Sequence, residues 1–142
     1  MTELNAAVLA DLWKHAKAKK TPKGPFLQSV LRFMLLHEDL HPWWEKLEAD
    51  PTIPLVVEGE NLVVHIAMDA AAEKAIQDDK PEGIREIFED LQARGKEKEY
   101  AFHVISKAMM DEFLVAGEEG EAMDLVKLYA RAKEYAGRAL KH

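Results

Sequence analysis

The 142-residue chain contains no cysteine, which excludes disulfide bonds, thiolate metal sites, iron–sulfur clusters and cysteine nucleophiles. It is also short of positive charge, since 26 acidic side chains outnumber 19 basic ones and give a formal net charge of −7. A general nucleic-acid binder needs a basic face for the phosphates, so this charge argues against that class. No apolar stretch is long enough to cross a bilayer, and the N-terminus lacks the pattern of a signal peptide. We therefore expect a cytoplasmic protein without nucleic-acid or membrane partners.

The familiar catalytic motifs are missing as well. The chain contains no G-x-x-x-x-G-K-[ST], no G-x-G-x-x-G, no G-x-S-x-G and no H-E-x-x-H. The sequence therefore indicates no reaction class and no small-molecule ligand. Its length suits a single domain, residues 1–142, that buries a core without cross-links.

Helical periodicity dominates the chain. Apolar residues recur at helical spacing in six segments, which are 4–19, 26–37, 61–77, 81–94, 100–115 and 122–140. A short helical turn is expected between His41 and Ala49, with Pro42 in its first turn. Five or six helices joined by short loops predict an all-α protein, an antiparallel helical bundle.

One segment supports two interpretations. Residues 55–57 and 62–64 flank a glycine turn and together resemble a β-hairpin. Alternatively, Asn61 is the N-cap of a helix that reaches Gln77, because the following alanines are strong helix formers. We favour the helix from about Asn61, with residues 55–57 extended.

The histidines offer a candidate metal site. His65 and Asp69 are four residues apart, which places imidazole and carboxylate on one helical face. Helical bundles build metal sites from inward histidines and acids on facing helices. The predicted ligands are His65, Asp69 and His103, with His37 or His41 as a fourth. Nitrogen and oxygen donors without sulfur suit zinc, iron, manganese or nickel.

One other interpretation remains open. Histidines also cap helices, form hydrogen bonds or sit in plain surface pairs with a carboxylate. The protein would then be a non-catalytic interaction or structural module, a homo-oligomer formed through an apolar helical face. Trp43 and Trp44 bear on this, because adjacent helical residues face different directions and at most one is deep in the core. The other is available for a groove or a subunit interface, where tryptophan is enriched.

Four segments also carry a resemblance to a known family. They are HEDLH at 37–41, HIAMD at 65–69, DKPEGIR at 79–85 and EYAFH at 99–103. Their order and spacing resemble a bacterial family catalogued as domain of unknown function 1841, over roughly residues 37–115. Asp69 stands where that family would have a second histidine, and Lys107 stands near an expected acid. The resemblance implies a small helical protein with His65 and His103 on a common face, and it implies no activity.

Overall fold

The computed structural model describes residues 4–141, which form an all-α protein as predicted. The α-helices of this part of the chain are α1 (Ala6–Lys17), α2 (Pro25–Leu36), α3 (His41–Ala49), α4 (Leu62–Asp78), α5 (Ile84–Ala93), α6 (Lys98–Glu118) and α7 (Leu125–Ala139). They number seven rather than five or six because α3, expected as a short turn, is a nine-residue helix. None of the described helices is long and apolar enough to cross a membrane.

The chain divides into two compact units, residues 1–70 and residues 71–142. The division falls within α4. The expectation of a single domain over residues 1–142 stays a prediction.

The helices of the first unit pack through α1, which contacts both α2 and α3. Asn5 is the N-cap of α1, since its side-chain oxygen accepts a hydrogen bond from the Val8 N–H at 3.0 Å. Trp44 is fully buried, and its Nε1 donates to the Met34 carbonyl at 3.2 Å. Its neighbour Trp43 is only half-buried, so one tryptophan of the pair is deep, as the helical geometry requires.

The ambiguous segment contains both a hairpin and a helix. Strand β1 (Val56–Val57) pairs antiparallel with β2 (Glu60–Asn61). Asn61 then caps α4, since its side-chain oxygen accepts from the backbone N–H groups of Val63 at 2.9 Å and Val64 at 3.2 Å. The favoured helix from Asn61 is therefore confirmed. A hairpin is also present, but its second strand is Glu60–Asn61, and the alternative that placed that strand at residues 62–64 is wrong because those residues form the first turn of α4.

The second unit is built from mutual contacts among α5, α6 and α7. The expected start of α5 at Pro81 is wrong, because the helix begins at Ile84. The reason is that the Asp79 carboxylate accepts hydrogen bonds from the Gly83 and Arg85 N–H groups, both at 3.1 Å, and so supports a start one turn later.

Some apolar side chains of the second unit face solvent although they follow the helical period of α6 and α7. Val126 is 78% exposed, because α7 begins at Leu125 and turns its first residues outward. The buried face of α6 instead follows small and medium residues at helical spacing, which are Ala101, Ile105, Ala108, Met109 and Ala116. Tyr100, Phe113 and Leu114 lie off that face and are exposed.

Candidate metal centre

Three side chains of the first unit form the candidate site: His37, His65 and Asp69. Each offers one ligand atom, and these atoms all lie within 4.8 Å of one another. Within residues 4–141 this is the group of histidine and acidic side chains with the spacing of a metal site. The structure thus joins three of the five residues that the sequence had nominated.

Local structure explains how these side chains meet. His65 and Asp69 are one turn apart on α4 and share a face. His37 follows the last residue of α2, where its N–H donates to the Phe33 carbonyl at 3.1 Å. A 3-10 turn, Glu38–Leu40, begins at the next residue and leads from the end of α2 into α3.

One oxygen of Asp69 is shared by both imidazoles. Asp69 Oδ2 lies 3.1 Å from His37 Nε2 and 3.4 Å from His65 Nε2. The two rings are 5.2 Å apart at their centroids and inclined by 69°. The Asp69 side chain is only 6% exposed, whereas those of His37 and His65 are 33% and 22% exposed. The carboxylate therefore forms the floor of the site, and solvent reaches it past the histidines.

Glu60 is a fourth participant that the sequence analysis missed. Its Oε1 lies 2.5 Å from His65 Nδ1. A carboxylate hydrogen-bonded to Nδ1 holds the proton there and turns Nε2 toward the opposite side of the ring, as in carboxylate–histidine–metal arrangements. Glu60 lies beside His65 because strand β2, which contains Glu60, is followed directly by α4. An acid five residues before a histidine, across a strand-to-helix junction, is the signal that could have found it.

The acidic surroundings favour positive charge at His37. Its pKa is raised above the ordinary value chiefly because the imidazolium donates a hydrogen bond to Asp69, while partial burial opposes this. The negative charges of Asp69, Asp39 and Glu60 act in the same direction as the hydrogen bond. The site therefore attracts a cation, whether a proton or a metal ion.

The distances also suit metal coordination. Two donors bound at about 2 Å lie about 3.3 Å apart in a tetrahedral site and about 2.8 Å apart in an octahedral one. The nitrogen–oxygen separations of 3.1 and 3.4 Å are close to these values. Two histidines and one carboxylate on one side of an ion leave other coordination positions open.

The remaining nominated residues lie elsewhere. His41 Nε2 donates to the Leu35 carbonyl at 3.0 Å, and its ring lies 5.0 Å from that of Trp13. His103 belongs to α6 in the second unit, where it is exposed and lines a cleft. Neither belongs to the three-residue group.

Comparison with protein families gives one match, over residues 3–133, to a family described as "Domain of unknown function (DUF1841)". No curated protein and no solved structure matches the chain.

Proposed function

This chain belongs to the DUF1841 family, and we propose that it binds a divalent transition metal ion through His37, His65 and Asp69. The ligand set is two imidazole nitrogens and one carboxylate oxygen. Imidazole and carboxylate ligands without sulfur suit zinc, iron, manganese or nickel. Three protein ligands are the number that catalytic zinc sites and non-haem iron sites use.

The single observation that carries this proposal is the convergence of three potential ligand atoms, one each from His37, His65 and Asp69, within 4.8 Å of one another. Asp69 Oδ2 lies 3.1 Å from His37 Nε2 and 3.4 Å from His65 Nε2, which are separations that two ligands of one metal ion can have. The negative charges of Asp69, Asp39 and Glu60 also favour a cation at this position.

The chemistry of such a site follows from its open side. An ion held on a buried carboxylate and two half-exposed histidines keeps positions for water or for a small ligand. When bound, it would supply Lewis acidity and an activated water. The proposal includes a cytoplasmic location, which the lack of cysteine supports because it suits a reducing compartment.

Metal analysis of protein purified without a histidine tag tests the proposal. We expect about one equivalent of bound metal after reconstitution with zinc or ferrous iron, and a lower melting temperature after chelation. The variants His65→Ala and Asp69→Asn should lose the metal. His15→Ala is the matched control, because His15 lies on α1, where it contacts the Asp11 carbonyl instead of the site. No stoichiometric metal, together with melting unchanged by chelator, would remove the proposal.

Self-association as a non-catalytic module is the second candidate, and one observation favours it. Large apolar side chains are exposed at the end of α6 and the start of α7, namely Phe113, Leu114, Leu125 and Val126. Light scattering on the purified protein and on Val126→Lys should then show an oligomer that the substitution dissociates. A monomer in both samples would exclude this candidate.

A further inference from the structure

The second unit contains a cleft whose lining includes none of the three metal-site residues. Its volume is about 440 Å³, within the range of small-molecule sites. Residues from α6 form one wall: Tyr100, His103, Val104, Lys107 and Asp111. Residues from α7 form the other: Tyr135, Arg138 and Ala139. The polar residues of α6 recur at positions 103, 107 and 111, so a single helical face carries all three.

The apolar part of the cleft suits a flat molecule. Val104 and Ala139 are buried and belong to the core beneath it. Two tyrosine rings stand beside them, and the Arg138 guanidinium lies 5.6 Å from the centroid of the Tyr135 ring. Aromatic rings next to small apolar side chains favour the burial of a planar apolar body.

The polar part of the cleft has an excess of positive charge. Asp111 Oδ2 accepts a hydrogen bond from the Tyr135 hydroxyl at 2.6 Å and lies 3.5 Å from Lys107 Nζ. The one carboxylate of the lining is thus engaged by two neighbours. A lysine ammonium has three donors and an arginine guanidinium has five, so these contacts leave donor capacity on Lys107 and Arg138.

A second acid bears on this charge without lining the cleft. Glu134 forms an ion pair with Arg138 one turn away on α7. Even so, the lining itself has two permanent cations, Lys107 and Arg138, against one carboxylate. The chain as a whole has a net charge of −7, so this cleft is a local exception to the overall sign.

We infer that the cleft binds a small organic anion with a flat apolar body and one carboxylate or phosphate group. Lys107 and Arg138 would take the anionic group, since guanidinium and ammonium groups are the usual partners of carboxylates and phosphates. Tyr100 and Tyr135 would flank the apolar body. The inference is independent of the proposed metal site, because it uses none of the same residues.

Titration of ¹⁵N-labelled protein, followed by amide chemical shifts, tests this inference. The probes are benzoate and phenyl phosphate, which share the flat body and differ in the anionic group. We expect saturable shifts confined to the cleft walls of α6 and α7, with a dissociation constant on the order of a millimolar for molecules this small. Tighter binding of benzoate supports a carboxylate ligand, and tighter binding of phenyl phosphate supports a phosphate ester.

Two control ligands separate this site from weaker alternatives. Benzyl alcohol has the same ring without charge, and inorganic phosphate has the charge without the ring. We expect both to bind at least tenfold more weakly than the better aromatic anion. Equal binding of inorganic phosphate would mean an adventitious ion only, and equal binding of benzyl alcohol would mean an apolar surface only. Either result overturns the inference.

Substitutions complete the test. Lys107 and Arg138 are both more than half exposed, so Lys107→Gln and Arg138→Gln should leave the fold intact, which circular dichroism will check. We expect each to weaken binding several-fold and the double variant at least tenfold. Lys133→Gln is the matched control, an exposed cation of α7 outside the cleft lining. Binding that the double variant leaves unchanged, or shifts that map outside the cleft, would overturn the inference.

Discussion

Glu60 gives the most incisive test of how the metal centre is held. Its carboxylate contacts His65 Nδ1 at 2.5 Å and does not belong to the three-residue ligand group. Replacing it should therefore weaken metal binding without removing a ligand. Glu60→Gln keeps an oxygen acceptor and loses the charge, whereas Glu60→Ala loses both. The two variants separate the electrostatic contribution from the orienting one.

The magnitude follows from the geometry. With a metal–nitrogen bond of about 2 Å, an ion on the far side of the imidazole lies on the order of 6 Å from the Glu60 carboxylate. The Glu60 side chain is 50% exposed, so a water-like dielectric applies. The attraction between a divalent ion and one negative charge is then about 1.4 kcal/mol, or roughly tenfold in the dissociation constant. We expect about this loss for Glu60→Gln and up to about a hundredfold for Glu60→Ala, because outer-shell partners also orient the ligand.

Competition with a chromophoric chelator measures these constants directly. Glu58→Gln serves as the control, because Glu58 is an exposed acid of the same hairpin turn without a contact to His65 among the described hydrogen bonds. The absorption spectrum of the cobalt-substituted protein adds a readout of ligand geometry that simple destabilisation would not alter. An unchanged dissociation constant in Glu60→Ala, with His65→Ala still abolishing binding, would refute the role of Glu60 and leave the metal site standing. If both Glu60→Ala and His65→Ala bind metal as the unchanged protein does, the role of Glu60 and the metal site itself are both refuted.

Three further predictions concern stability. The pKa of His37 is raised in the folded state, so its contribution to stability is full below the ordinary value of about 6.5 and is lost as pH rises through the folded pKa. In urea unfolding of the metal-free protein, the free energy of unfolding should therefore fall more between pH 6 and pH 9 than it does in His37→Asn. The same fall in both proteins would contradict this. Trp44→Phe should cost roughly 2 kcal/mol because it leaves a buried carbonyl without its donor, and a loss below about 0.5 kcal/mol by chemical denaturation would speak against that hydrogen bond. Gly83 and Gly95 have φ values of 96° and 94°, so alanine at either position should lower the free energy of unfolding by about 1 kcal/mol. A Cβ at Gly83 would also lie 2.8 Å from the Tyr129 ring, so Gly83→Ala should melt at a lower temperature than Gly95→Ala. Equal melting temperatures of the two variants would contradict this.

The fold was predictable where periodicity and caps agree. Asn61 shows this well, since the expected N-cap is the observed one. The pattern failed where a helix end determines which way a side chain faces. Val126 keeps the apolar period of α7, yet it lies in the first turn and is exposed, because periodicity does not report where a neighbouring helix stops covering it.

The site was predictable only in its local part. The four-residue spacing of His65 and Asp69 is a property of one helix, so sequence alone could place them together. His37 and His41 were equivalent candidates for a further ligand. The structure brings His37 to Asp69 because of the turn that follows α2, whereas His41 contacts the Leu35 carbonyl. No helical period encodes that turn. His103 was nominated for the same reason, because helical spacing does not report which helices lie together.

The position of the three ligands along the chain has a consequence for the stability of the fold. His37 follows α2, and the other two ligands lie on α4, so an ion bound to all three would close a loop of roughly 30 residues that contains α3 and the hairpin. In the chain-entropy view, closing a loop of that length with a cross-link is worth about 3–4 kcal/mol to the folded state. A protein without cysteine would thereby have a reversible cross-link, which forms or breaks with the local concentration of metal. Proteolysis within residues 38–64 in the presence and absence of metal would reveal it.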